Sequence, residues 1–241
     1  QIGKYVKDYQ VNLSAPYYVV TVLHISMQSL PEEEREDPFL LAMAVKKYAE
    51  EQVDERWNSR FVIYLGDIIM ISQLQEKDNL IAYTDEMDRL CRMARKVCNA
   101  RVTAGIGYLC DSLEQIPFSY QGAKQAVSYR VLYGNIRSIS ISEVEPGETA
   151  ELQRVDAYAD LIQRIIKKIR VGEENVLQEA IHDFIQWLGE AHLSMQNYRI
   201  VMMELISELV RFAAGHDLSI DNVSGTGTDA YHQALQMEST E

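Results

Sequence analysis

In the first part of the chain, short apolar runs typical of strands alternate with segments whose apolar residues recur at helical spacing. The run Ala15–Ile25 is rich in β-branched and aromatic residues and predicts a central strand. Residues Phe39–Val53 follow with apolar side chains at helical spacing. Two short apolar runs, Phe61–Tyr64 and Ile68–Ser72, flank Leu65-Gly66-Asp67. This arrangement predicts a β-hairpin with Gly66 and Asp67 in its turn.

The next segment continues the alternation. Residues Thr84–Asn99 predict a helix that leads into a strand at Val102, and a further helix precedes a short strand ending at Ile141. Asp111 or Ser112 can cap that further helix, with Glu114 or Gln115 completing a capping box, and Gly134 stands where a left-handed C-terminal cap is expected. The order βα-ββ-αβ-αβ predicts an α/β (α+β) fold with a mixed sheet and flanking helices.

A change in composition separates the second half. Pro146 and Gly147, in the segment Glu143–Thr149, end the strand-forming region. Three amphipathic helices are predicted after it, over Leu152–Ile169, Val176–Leu188 and Asn197–Ala214. The third is apolar around much of its circumference and is expected to be buried on more than one side. For Met202 and Met203 a core position is favoured over a partner surface.

Charge and composition exclude several classes of function. The net charge of the 241-residue chain is −13, which argues against a nucleic-acid-binding surface. Its longest apolar run has eleven residues, fewer than the ~20 of a membrane helix, and no signal peptide is evident, so a cytoplasmic protein without a membrane partner is expected. The scattered histidines and the thiols Cys91, Cys98 and Cys110 lack metal-ligand spacing. Neither a metal nor a cofactor is expected.

Several short motifs lie in order on the predicted elements. Gly105-Ile106-Gly107 ends a strand, and the helix after it carries Ser119-Tyr120, Ala123 and Ala126 before Tyr129-Arg130 and Tyr133-Gly134. This pattern resembles the C-terminal half of the GGDEF domain of diguanylate cyclases. It resembles more closely the degenerate GGDEF-like middle segment of bacterial AraC-type regulators of the response-regulator type. The resemblance covers roughly residues 15–145 and implies a cyclase-like sheet.

The resemblance also implies a lost active site. Active cyclases carry a Gly-Gly-Asp/Glu-Glu-Phe turn whose first acid helps to hold a divalent ion, with a second carboxylate at the end of the first strand. Here the degenerate signature turn is Leu65, Gly66, Asp67 and Ile68, and His24 and Ser26 stand where the strand carboxylates would be. His24, Ser26 and Asp67 are therefore vestigial metal positions, and no catalytic residue is assigned. Asp67 is expected to be a turn residue, and Leu65 and Ile68 to block a nucleotide.

The expected organisation follows from these pieces. Residues 1–145 form a degenerate GGDEF-like domain with 1–14 as an incoming helix, and 146–241 form a helical connector. The chain begins at Gln1 and shows neither a receiver pattern nor a basic helix-turn-helix, so it is expected to be a middle fragment. The expected function is a non-catalytic relay from the protein's own upstream domain, a receiver, to its own DNA-binding domain. The apolar helices make a homodimer a candidate assembly. The alternative is a small-molecule or nucleotide sensor that uses the degenerate cleft.

Overall fold

The computed structural model describes residues 15–26, 37–145, 155–191 and 193–216. The described residues form two compact units, one that ends at Val144 and one that begins at Glu145. The expected incoming helix at residues 1–14 lies outside the described residues, as do Leu152 and the polar segment after Asp217.

The first unit is built on a five-stranded mixed sheet. The strand order is β2-β3-β1-β4-β5, with β4 and β5 parallel and the other neighbours antiparallel. The order along the chain confirms the predicted α/β alternation. The elements are β1 (Tyr17–Ile25), α1 (Pro38–Gln52), β2 (Arg60–Tyr64), β3 (Asp67–Leu74), α2 (Asn79–Val97), β4 (Val102–Ile106), α3 (Ile116–Ser128), α4 (Arg130–Tyr133), β5 (Ser138–Ser140) and α5 (Ile141–Val144).

Alternation along β1 divides the core between the two faces of the sheet. Val19 and Leu23 point into the main core, which α1 and α2 complete. Val20 and Val22 point to the other face, where Ala123 of α3 packs against them. Because successive side chains of a strand point to opposite faces, His24 lies on the same face as Val20 and Val22.

Small residues allow α3 to lie close to β4. A Cβ added at Gly105 would be 2.8 Å from the backbone nitrogen of Val127, and one added at Gly107 would be 2.8 Å from Ser119 Oγ. Ser119 is fully buried, and its hydroxyl accepts a 2.9 Å hydrogen bond from the backbone N–H of Val20. The Gly-Ile-Gly step and the serine of α3 therefore form one close contact between strand and helix.

The start of α3 differs from the prediction. A 3₁₀ turn over Leu113–Gln115 precedes the helix, which begins at Ile116. The side chain of Gln115 accepts a hydrogen bond from the backbone N–H of Asp111 at 3.3 Å, whereas Ser112 makes no capping hydrogen bond with its side chain. The predicted capping box, which pairs residues three apart, is therefore absent, and a contact between residues four apart closes the 3₁₀ turn instead. Gly134 ends α4 with a positive φ of 93°, but its ψ of 167° is not that of the predicted left-handed cap.

The second unit contains the three predicted helices. They are α6 (Val155–Val171), α7 (Glu174–Glu190) and α8 (Met195–Ala214), and α6 packs against both others. Their buried apolar side chains include Ile162, Ile165, Ile166, Phe184, Leu188, Tyr198 and Val201. Met202 is half-buried but Met203 is 42% exposed, so the prediction of a core position is wrong for Met203. No helix in the described ranges is long and apolar enough to cross a membrane.

Candidate functional site

The hairpin between β2 and β3 turns over two residues. Leu65 and Gly66 both have positive φ, 52° and 87°, which is the backbone geometry of a type I′ turn. Tyr64 then pairs with Asp67 across the ladder. Asp67 is therefore the first residue of β3, and the prediction that Gly66 and Asp67 form the turn is wrong by one residue. The error arises because Leu65 adopts a left-handed conformation that side chains with a Cβ rarely adopt.

The end of β1 brings His24 next to this carboxylate. Leu23 pairs with Ile68 in the antiparallel register, so the next residue of β1 lies beside Asp67. His24 Nδ1 is 2.8 Å from Asp67 Oδ1, and the two side chains are 23% and 29% exposed. Two of the three positions predicted to be vestigial metal positions are thus joined by a direct hydrogen bond, in which the imidazole contacts Oδ1 of the carboxylate.

Ser26, the third position predicted to be vestigial, has different surroundings. It lies just past the end of β1, is only 2% exposed, and its backbone N–H donates to the carbonyl of Arg101 at 2.9 Å. Its hydroxyl has no hydrogen-bond partner within the described part of the chain. The structure therefore brings His24 and Asp67 together but does not bring the Ser26 hydroxyl into that hydrogen bond.

The expected blocking residues do not both stand at the turn. Ile68 is fully buried in the main core, together with Leu23, whereas Ile69 belongs to the cluster on the α3 face. Alternation along β3 therefore places Asp67 and Ile68 on opposite faces. Leu65 is 85% exposed at the tip of the hairpin. The prediction that Leu65 and Ile68 together obstruct a ligand is wrong for Ile68, because that side chain belongs to the core.

The donor set does not fit the divalent-ion site of an active cyclase. Magnesium prefers several oxygen ligands at short, near-octahedral distances, and imidazole is a poor ligand for it. Asp67 supplies one carboxylate, already hydrogen-bonded to His24. Among the residues with described structure, no group of three or more His, Cys, Asp or Glu side chains is placed to hold a metal ion.

A comparison with known protein families identifies the family of the sheet-containing unit. The sequence profile of the GGDEF-like domain family matches residues 2–129, slightly more than half of the 241-residue chain. The chain belongs to the GGDEF-like domain family. No curated protein and no solved structure matches it.

The GGDEF-like unit also contains a buried acid that sequence reasoning missed. The side chain of Glu86 on α2 is 7% exposed. It accepts hydrogen bonds from the backbone N–H of Asp54 at 2.7 Å and from Trp57 Nε1 at 2.9 Å. The available signal was its place on the apolar face of α2, between the buried residues Tyr83 and Leu90. A charged residue at such a position requires partners, and the 3₁₀ turn after α1 provides them.

Tyr83 joins three elements beneath the sheet. Its hydroxyl lies 2.7 Å from Thr21 Oγ1 on β1 and 3.0 Å from Ser72 Oγ on β3. Ser72 Oγ is in turn 2.8 Å from Ser59 Oγ, just before β2. Burial raises the pKa of Tyr83 well above its ordinary value of 10.0, and the two hydroxyl partners oppose that shift only in part. The result is a neutral hydrogen-bond network inside the main core.

Proposed function

We propose that the GGDEF-like unit is a non-catalytic signal-relay region of a bacterial AraC-type transcription regulator. It passes an input from an upstream domain, a receiver, to a downstream helix-turn-helix domain. The observation that carries the non-catalytic part is the 2.8 Å hydrogen bond between His24 and Asp67. A cyclase of this family type needs carboxylates at these places, and here the single acid is bound to an imidazole.

The chemistry of phosphoryl transfer supports this proposal. Metal ions in such reactions bridge phosphate oxygens and neutralise the charge that develops on them. The half-buried His–Asp pair offers a single carboxylate, and the Ser26 hydroxyl makes no hydrogen bond to it. The residues at this end of β1 can hold the hairpin against the central strand. They are not arranged to hold a metal–triphosphate complex.

The regulator context rests on the helix that follows the Gly-Ile-Gly step. Ser119, Ala123 and Ala126 are all buried on α3, so the motif behind the resemblance occupies the face that packs on β1 and β4. The three helices of the second unit suit a connector. A relay works when an input changes the relative stability of two packing arrangements. A sheet-based unit followed by a helical unit suits this role.

We also propose that a second copy of the chain packs on α8. The apolar side chains of α6 are already covered within the second unit, since Ile162, Ile165 and Ile166 are buried. On α8, by contrast, Ile200 and Met203 are 49% and 42% exposed. Sedimentation over a concentration series tests this assembly. We expect a dimer that Met203→Glu weakens and that Gln163→Glu, at an exposed polar position of α6, leaves intact. A monomer at all concentrations would contradict it.

The reading frame around this chain gives the first test of the regulator assignment. We expect a receiver domain upstream and an AraC-type helix-turn-helix domain downstream. A frame without a DNA-binding domain would refute the assignment.

In the complete regulator, Asp67→Ala should leave signal-dependent promoter binding unchanged in footprinting, because the relay needs no chemistry at that carboxylate. Loss of the response in a folded variant would point to ligand sensing.

A nucleotide or small-molecule sensor is the second candidate. It is favoured by the open surroundings of the turn, since nothing lies within 4 Å of a Cβ built on Gly66 and Leu65 is 85% exposed. Calorimetry with GTP and with cyclic di-GMP separates the two functions. The relay predicts no micromolar binding. Micromolar binding that Asp67→Asn weakens would establish the sensor.

A further inference from the structure

A cavity between α1 and α2 has no role in the proposed relay. Its volume is about 410 Å³, and both helices contribute to its wall. It lies on the main-core side of the sheet, whereas His24 follows Val20 and Val22 on the α3 face. This volume is within the ~300–1,000 Å³ of small-molecule sites. We propose that the cavity binds a small carboxylic acid with an apolar body, and that Arg89 holds its carboxylate.

The two helices present matching stripes to this cavity. Tyr48 and Gln52 lie one turn apart on α1. Glu86, Arg89 and Met93 lie at spacings of three and four on α2, so they share one helix face. Polar groups and apolar surface are therefore both available to a single ligand. This combination is typical of sites that fix a ligand's orientation with a few polar contacts.

The two charges in the wall have different environments. Glu86 is held by the N–H groups of Asp54 and Trp57, and Arg56 Nη2 lies 3.7 Å from its carboxylate. Arg56 also stacks 4.2 Å above the Trp57 ring. Glu86 is thus partnered outside the cavity. Arg56 also pairs with Asp54, its Nε lying 3.4 Å from Asp54 Oδ2, and neither carboxylate forms an ion pair with Arg89.

Arg89 is free to meet a ligand. It is exposed, and the described residues give it neither an ion pair nor a hydrogen bond. A guanidinium binds a carboxylate with two parallel hydrogen bonds. Burial raises the pKa of the neighbouring Tyr48 despite the opposing field of Arg89, so the Tyr48 phenol stays protonated and can donate to a ligand oxygen.

The rest of the wall selects an apolar body. Val53 and Leu90 are buried, at 9% and 4% exposure, and Met93 is 37% exposed at the rim. Apolar surface of this kind is covered favourably by an aromatic or aliphatic group. The flexible thioether of Met93 can adapt to the shape of that group. In a ligand with a carboxylate on a short arm, the carboxylate can bind Arg89 while an attached ring or hydrocarbon covers the apolar side chains.

Two probes with the same ring test the proposal. Indole-3-propionate carries the carboxylate, and indole-3-ethanol replaces it with a hydroxyl. Titration of each into the complete chain, followed by NMR or calorimetry, should show that indole-3-propionate binds at least about tenfold more tightly, as expected for charge-assisted hydrogen bonds. Arg89→Gln should remove this preference. Arg92→Gln, which alters an exposed arginine paired with Asp88, should retain it.

Three results would overturn the proposal. They are equal affinity for both probes, an unchanged preference in Arg89→Gln, and no binding of indole-3-propionate by the unaltered chain at about 10 mM. Because Arg89 is exposed, its substitution should leave the fold intact, and circular dichroism checks this. The readout is independent of nucleotide chemistry, so its failure leaves the relay unaffected.

Discussion

The two ends of the central strand β1 differ in how they contact the rest of the sheet unit. Near its start, the backbone of Val20 accepts from the N–H of Gly107 at 2.9 Å and donates to the Ser119 hydroxyl. Near its end, His24 and Asp67 are joined by a hydrogen bond between partly exposed side chains. The first end is fixed by the close approach of small residues to α3. The second end carries a polar pair at the surface of the sheet.

The contrast has a physical cause. At the packed end, a methyl group on Gly105 or Gly107 would meet the backbone of α3, so a single substitution must move a helix. At the hairpin end, the side chains are partly exposed, and exchanging a carboxylate for another polar group costs little. Substitutions should therefore be tolerated more readily at the hairpin end than at the packed end.

Breaking the packed end should have the largest effect. Gly107→Ala places a Cβ against the carbonyl group of Ser119, and we expect the free energy of unfolding to fall by about 3 kcal/mol or more. Denaturant titration measures it. Gly189→Ala is the control, because it adds the same methyl where nothing lies within 4 Å, and it should be neutral or slightly stabilising. Similar losses in both variants would contradict the account.

Removing the Ser119 hydroxyl should have the next largest effect. Ser119→Ala leaves the buried N–H of Val20 without its acceptor, which should cost about 1–3 kcal/mol of stability. Ser128→Ala removes a hydroxyl that bonds only within its own helix, to the carbonyl of Gln125, and should cost clearly less. Equal costs for the two alanines would show that the link from strand to helix is unimportant.

The middle of β1 should respond to alkaline pH through Tyr83. Burial places the pKa of Tyr83 above the value of 10.0 expected in the unfolded chain, so its contribution to stability is complete below pH 10 and is lost as pH rises beyond it. Burial also raises the pKa of Cys91, from 9.0 to about 12, so this thiol contributes to the alkaline loss of stability as well. The role of Tyr83 is therefore measured as the difference between the unaltered chain and Tyr83→Phe. Unfolding curves across pH 8–11 should show a shallower decline above pH 10 for Tyr83→Phe. Parallel curves would refute this role.

The hairpin end should be the least sensitive. The His24–Asp67 pair is partly exposed, so His24→Ala or Asp67→Ala should each cost about 0.5–1 kcal/mol. A double-mutant cycle isolates the coupling between the two side chains, which we expect to be about 0.5 kcal/mol. A coupling several times larger would mean that the pair is a structural element comparable to the packed end.

Much of the fold could be predicted from the sequence. The run of β-branched residues in β1, the helical spacing in α1 and α2, and the Gly-Ile-Gly step indicated the order of strands and helices, because each pattern is local. The three helices of the second unit were predicted for the same reason, from their apolar stripes.

The site was less predictable because it depends on register. The direct contact of His24 with Asp67 requires the pairing of β1 with β3 and a turn that begins at Leu65, whose left-handed conformation is unusual. The burial of Ile68 follows from the same register. Glu86 was missed because its partners, Asp54 and Trp57, lie about thirty positions away. Local patterns carry no information on such distant contacts.

Direct incubation with nucleotide is the measurement that tests the central claim. The purified chain is mixed with GTP or ATP and with Mg²⁺ or Mn²⁺, and the products are separated by chromatography. Because Asp67 is bound to His24 and lacks a partner carboxylate, we expect no cyclic or condensed product from the unaltered chain. A cyclic product that disappears in Asp67→Ala would show that this end of β1 is an active site, and it would contradict the non-catalytic role proposed for the unit.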